Sequence, residues 1–425
     1  MKTTFFLTIG LSLIVNVLIG KPDEFTPDSV LSIEESISRH VKGQFGIDVE
    51  QDWFVDWMPN KNFDRNYTQG TGFYYTKPEL GKSFLFLPMN FFEWLNNLNG
   101  KNKYLINYPA TIAIGVTAFT PGVIDSPTPV VGDRPFAGLM YLSTIKNKYN
   151  YKSKALIQTS FNYGILGSNI TNTFQSFAHE HIIPGRPTEI SWHHQISEGG
   201  SFAFMFSHKA SRSILNFPNN DDSGRKWFDA SIGYQVDIGW YTGISALSKI
   251  KVGFMTPYSL NSTAMDVSLD VGNKLYQKAL IKSDSLETKL DSIVLDKRTN
   301  DKILKKKSRN DDKIQHFENY REFKTWDAFA FFSMTPRVTP YNSLILGQPH
   351  VESIYTLGYE DYNPYIFDFE YGVVLSRLKV KENIPLPVSR FDIILSINHR
   401  SPEIRNNEYK RWHHWGRISI RFPLF

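Results

Sequence analysis

The 425-residue chain contains no cysteine, which excludes a disulfide framework and any thiolate catalytic or metal site. It carries no sustained apolar run after its first twenty residues, so a helical membrane span beyond the N-terminus is excluded as well. Charge of one sign is not in large excess: 47 basic against 42 acidic residues give a net +5, evenly spread, which argues against nucleic acid as a partner. Familiar catalytic signatures are also missing. There is no G-x-S-x-G elbow and no Walker-type loop. His179-Glu180-His181 places its second histidine two residues on, where the zinc motif HExxH needs four. The pairs His193-His194 and His413-His414 sit in or near loops, and neighbours on a strand point to opposite faces, which is poor metal geometry.

Aromatic side chains are abundant. They make up 15% of the chain, as 32 Phe, 21 Tyr and 9 Trp, which favours strands and interfacial girdles. The N-terminus has a basic Lys2, an apolar stretch from Phe5 to Ile19 and a small Gly20, and reads as a cleaved signal peptide over residues 1–20. An uncleaved anchor is the alternative. A polar segment over residues 21–43 follows. The N-x-S/T triplets at Asn66, Asn169 and Asn261 matter only on a glycosylating route.

From residue 44 nearly to the end, apolar and polar residues alternate with period two. Ile112, Ile114, Val116 and Ala118 alternate with Thr111, Ala113, Gly115 and Thr117; Phe228, Ile232 and Val236 interleave with Asp229, Gly233 and Asp237. Each such strand has one apolar and one polar face. A soluble β-sandwich shows the same pattern with its polar face in water. Three features favour a membrane barrel over residues 44–425: the export signal, strands of about nine to eleven residues, long enough to cross a bilayer when tilted, and a final strand ending on Phe425. The expectation is an all-β, transmembrane antiparallel barrel of about twelve strands.

Two stretches break the alternation. Over residues 168–183 the spacing turns helical, with Ile170, Phe174 and Phe177 on one face and Thr171, Gln175 and His179 on another. The first face is expected to bury itself and the second to stay open to a cleft. Pro184 ends the helix. Residues 276–324, which include LKKKSRNDDK, read as a solvated insertion between two strands, with a binding tail as the alternative. Counting strands from an outward-running first strand places this insertion on the periplasmic side.

Several segments share the order of one family's motifs. Glu50-Gln51-Asp52 ends the first strand, and Tyr67-Thr68-Gln69-Gly70 opens the second. Gly132-Asp133-Arg134-Pro135-Phe136-Ala137-Gly138 follows, then the helix with Gln175 and His179, then Trp192 and Gln195. Arg400-Ser401-Pro402-Glu403 and His414-Trp415-Gly416-Arg417 lie near the C-terminus. Together they resemble the outer-membrane lipid A 3-O-deacylase family over residues 45–425. The resemblance implies a monomeric outer-membrane enzyme acting on the lipid A of lipopolysaccharide, with calcium as cofactor. It implies His179 as the base that takes a proton from water, beside Gln175, and Asp52 and Thr68 as calcium ligands. Arg134 and Trp192 become candidates for substrate binding, although Arg134 also suits a loop-bracing role. Where the family has Asn at the end of the first strand, this chain has Gln51, one methylene longer. A family acidic residue after the histidine has Glu189 as its nearest counterpart. A non-catalytic barrel that binds lipopolysaccharide or acts as a pore is the competing reading.

Overall fold

The period-two runs become thirteen strands in the computed structural model, which describes residues 34, 37–55, 57, 66–97, 105–150, 153, 155–181, 190–218, 225–256, 322–381 and 387–424. They are β1 (Gln44–Gln51), β2 (Asn66–Lys77), β3 (Leu105–Asn107), β4 (Ala110–Thr120), β5 (Ala137–Asn150), β6 (Ala155–Leu166), β7 (Ser201–Pro218), β8 (Lys226–Gly239), β9 (Tyr241–Met255), β10 (Glu322–Asn342), β11 (Tyr365–Lys381), β12 (Ser389–Arg400) and β13 (His413–Pro423). The short β3 lies beside β5. The other twelve form an antiparallel ring closed by β1 on β13, from Gln44 opposite Pro423 to Gln51 opposite Gly416. Closure leaves no strand edge unpaired, as hydrocarbon requires.

The two faces of the wall carry opposite chemistry. On β8, Asp229, Ser231 and Asp237 are buried inside, and Asp229 pairs at 3.0 Å with the buried Lys251 of β9. Outside, Ile114, Phe202, Phe204, Ile250, Phe254, Val373 and Leu395 are exposed. A polar lumen inside an apolar exterior is stable in a bilayer and not in water. Among the described residues no helix is long and apolar enough to cross a membrane. The strands cross instead.

Two apolar layers divide the lumen. One, near the Gln51 end, joins Tyr67, Phe119, Leu139, Leu166, Trp240, Leu344 and Trp415. The other joins Met255, Phe329, Phe331, Val374 and Ile394. Between them lies a polar cavity of about 300 Å³, lined by Lys209, Lys249, Arg337, Asp368, Glu370 and Arg417 among others.

Among the described residues the ring carries the helices α1 (Leu87–Asn97), α2 (Ile170–His181) and the single turn α3 (Ser343–Leu346). The loops at the Gln51 end interlock as a cap through the Arg134–Glu403 and Arg411–Asp133 pairs, and this end is termed outer. β9 descends to the opposite end and β10 rises from it, so residues 256–321 connect there. β10 begins at Glu322, so residues 322–324 of the expected insertion are strand. Residues 1–20, most of 21–43, 276–321, Glu189 and Phe425 lie outside the described residues.

Candidate functional site

Cross-strand partners point to the same side of a sheet, so the registers define rows around the wall. Ala137 and Leu139 of β5 and Phe119 of β4 belong to the apolar layer in the lumen, so their neighbours Gly138 and Ala118 face outward. Gly138 is opposite Ala118, Ala118 opposite Gln69, Gln69 opposite Gln51, and Gln51 opposite Gly416. One outward row therefore reads Gly416, Gln51, Gln69, Ala118, Gly138. The next row inward along the barrel reads Ile418, Val49, Thr71, Val116, Met140, Ile165, Phe202. A row with two glutamines and no large apolar side chain sits directly on an apolar one, as expected where hydrocarbon gives way to headgroups.

The glycines that end the polar row make room for two overlying elements. A Cβ on Gly416 would lie 2.7 Å from Cβ of Phe54, in the 3-10 turn Trp53–Val55 that follows Asp52. A Cβ on Gly138 would lie 2.2 Å from Oγ1 of Thr171, the second residue of α2. The helix thus lies on the outer side of the wall, over β4 and β5. Nε2 of Gln69 donates to the Thr171 carbonyl at 3.4 Å, tying the polar row to the helix.

The face of α2 turned to the wall is the polar one. Thr171, Gln175 and His179 are buried, His179 to 3% exposure, whereas Phe174 and Phe177 are each 54% exposed. This reverses the sequence expectation that the phenylalanine face is the buried one. The reason is the environment: on the outside of a membrane barrel the solvent is apolar, so the polar side chains turn inward. Oε1 of Gln175 accepts from Nε1 of Trp192 at 2.9 Å, and the Trp192 ring packs 5.1 Å from that of Phe136. Trp192 is 1% exposed, and its indole N–H holds Gln175.

At the end of β1, the Asp52 amide donates to the Thr68 carbonyl at 3.3 Å. A bulge between Tyr67 and Gln69 takes Thr68 out of the β2–β4 register, and its hydroxyl meets that of Thr120 at 2.7 Å. Bulges of this kind re-aim a side chain beside a site. Asp52, Thr68 and Thr120 are all buried. Among the described residues no group of three or more His, Cys, Asp or Glu is arranged to hold a metal. A carboxylate with hydroxyl and carbonyl oxygens is instead the donor set of a hard cation, so Asp52 and Thr68 suit calcium and not zinc.

The segment from Gly132 to Gly138 locks the outer loops above this site. Asp133 accepts from the Gly122 amide at 2.7 Å and from Nη2 of Arg411 at 2.7 and 2.9 Å. Arg134 is paired with Glu403 and lies 3.8 Å from the centroid of Phe119. At 1% exposure its guanidinium is held between Glu403 and Phe119, a bracing arrangement. Burial pushes the Glu403 carboxyl up, but Arg134 and Arg400 outweigh it and hold it below the ordinary glutamate value. Sequence reasoning missed Thr120 and Tyr355, whose hydroxyl accepts from the Gly132 amide at 2.8 Å and donates to the Asp133 carbonyl at 3.1 Å. Neither residue stands in a motif. Only the register or the folded loops bring them to the site.

The candidate site is therefore the outward row of the wall that carries Gln51 and Gln69, overlain at its two ends by α2 and by the turn after Asp52. No curated protein sequence matches the chain. Among solved structures, LpxR from Salmonella typhimurium matches with a TM-score of 0.53 and 12% identity, covering 90% of this chain and 100% of that one. At that identity the likeness shows the fold, and the closed ring agrees with it. The family described as outer membrane protein LpxR matches residues 29–424, and the chain belongs to that family.

Proposed function

We propose that the protein is a hydrolase of the outer leaflet that releases one ester-linked acyl chain from lipid A, with His179 as general base. The observation that carries this reading is a buried Thr171–Gln175–His179 face on a helix that lies over the outward side of the wall and is tied to it through Gln69. Polar groups are costly at a hydrocarbon boundary and mark function there. Family membership and the motifs that resemble the lipid A 3-O-deacylases support the choice of substrate.

In the proposed reaction a water oxygen attacks the ester carbonyl carbon while the His179 imidazole takes the water proton. The tetrahedral adduct then collapses, the carbon–oxygen bond to the lipid A hydroxyl breaks, and His179 returns the proton to that leaving oxygen. The products are a free fatty acid and a lipid A with one more hydroxyl. Trp192 holds Gln175 one helical turn before His179 and so fixes the helix face that carries the base. Gln51 stands opposite Gln69 on the outward row, and its amide N–H would serve to stabilise the developing oxyanion. Calcium held by Asp52 and Thr68 would supply Lewis-acid polarisation of the carbonyl.

Fatty-acid release from purified lipid A tests the reading. The expected result is turnover that stops in a strong calcium chelator and returns when calcium is added back. Full turnover in the chelator would remove the metal and leave the base. Gln51 favours the second reading, a barrel that binds lipopolysaccharide without turnover, because its longer side chain shifts the amide. Binding without release, with release restored in Gln51→Asn, would establish that reading.

A further inference from the structure

An amphipathic helix in water buries its apolar face. Helix α2 does the opposite, burying Thr171, Gln175 and His179 and exposing Phe174 and Phe177 at 54% each. An inside-out helix is stable only where the surrounding medium is itself apolar.

The position of the helix says what that medium is. It rests on the outward row that ends in Gly138, and the row below it is apolar, with Ile165 and Phe202 exposed at 40% and 61%. The phenylalanine face is thus continuous with the lipid-facing wall of the barrel. Polarity also changes along the helix. Its exposed side carries Phe174 and Phe177 first and Glu180 and His181 last, with the His181 ring stacked 4.6 Å from that of Phe177.

We propose that α2 lies in the outer leaflet with Phe174 and Phe177 among the acyl chains and its C-terminal end, Glu180 and His181, at headgroup level. The helix then shields the buried His179 from the outer leaflet with its phenylalanine face. Its immersion rests on the apolar exterior and not on the hydrolase reading, so the two fail separately.

The absence of cysteine makes the test clean, since each single-cysteine variant carries one label. Phe174→Cys, Phe177→Cys and His181→Cys are each labelled with a nitroxide in the full-length protein, reconstituted in phospholipid vesicles containing lipopolysaccharide. Phe202→Cys serves as the lipid-wall reference. Power saturation compares collisions with oxygen, which concentrates in hydrocarbon, and with a water-soluble nickel chelate. The expected result is oxygen-dominated relaxation at 174 and 177, as at 202, and nickel-dominated relaxation at 181. Equal nickel access at 174, 177 and 181 would place the helix in water and overturn the proposal. Loss of access to both reagents at 174 and 177 would mean a second copy covers them and would overturn it equally. Lipid A turnover by the same labelled variants is measured in parallel and leaves the depth result unaffected.

Discussion

His179 is buried, so a substitution there tests chemistry only if the shape of the side chain is kept. His179→Asn retains much of that shape but cannot accept a proton, and it should lower turnover by about a hundredfold to ten-thousandfold, the usual contribution of a positioned base. The variant should still migrate as a folded, heat-modifiable barrel, and near-normal turnover would remove His179 from the mechanism. His179→Ala loses the same activity but also leaves a cavity under the helix, so it is the poorer probe. Glu403 allows a test of pH dependence. Its carboxyl is lowered in the folded protein, so its contribution to stability is complete above the ordinary glutamate value of 4.5 and is lost as pH falls through the lowered one. The temperature at which the barrel unfolds on a gel should therefore drop on acidification, and Glu403→Gln should flatten that drop. An unfolding temperature that rises with acid would contradict the ion pair to Arg134.

At the scale of elements, the decisive contact is between α2 and the wall. Gly138→Val would drive a side chain into Thr171, where even a Cβ comes to 2.2 Å of Oγ1. The expected outcome is a folded barrel that has lost most of its lipid A turnover, read by gel migration and fatty-acid release from one preparation. Unchanged turnover would mean the helix need not sit where the structure puts it. Trp192→Phe keeps the ring against Phe136 but removes the donor to Gln175, a loss of about 0.5–1.5 kcal/mol that a lowered unfolding temperature on the gel would read. The strands were legible because period-two alternation is a local property, as in Ile112 to Ala118. The helix was legible from its spacing, but its orientation was not. Periodicity shows that Phe174 and Gln175 lie on different faces, whereas which face is hidden depends on the medium outside. A bracing role for Arg134 was open from the sequence, but its partner Glu403 was out of reach, since only the closed ring brings the two together.

At the scale of the whole molecule, two apolar layers in the lumen argue against a pore. Protein inserted in a planar bilayer should show no steady ion conductance, and open channels would revive the pore reading. β9 and β10 meet at the end opposite Gln51, so protease added to intact cells should leave residues 257–321 uncut; cleavage would invert the barrel. The central claim is that this barrel removes one acyl chain from lipid A, and mass spectrometry of lipid A tests it most directly. Lipid A is extracted from cells making the native chain and from cells making His179→Asn at equal barrel abundance. The account predicts a species lighter by one acyl group only with the native chain. Identical lipid A masses in the two strains would contradict it and leave a lipopolysaccharide-binding barrel in its place.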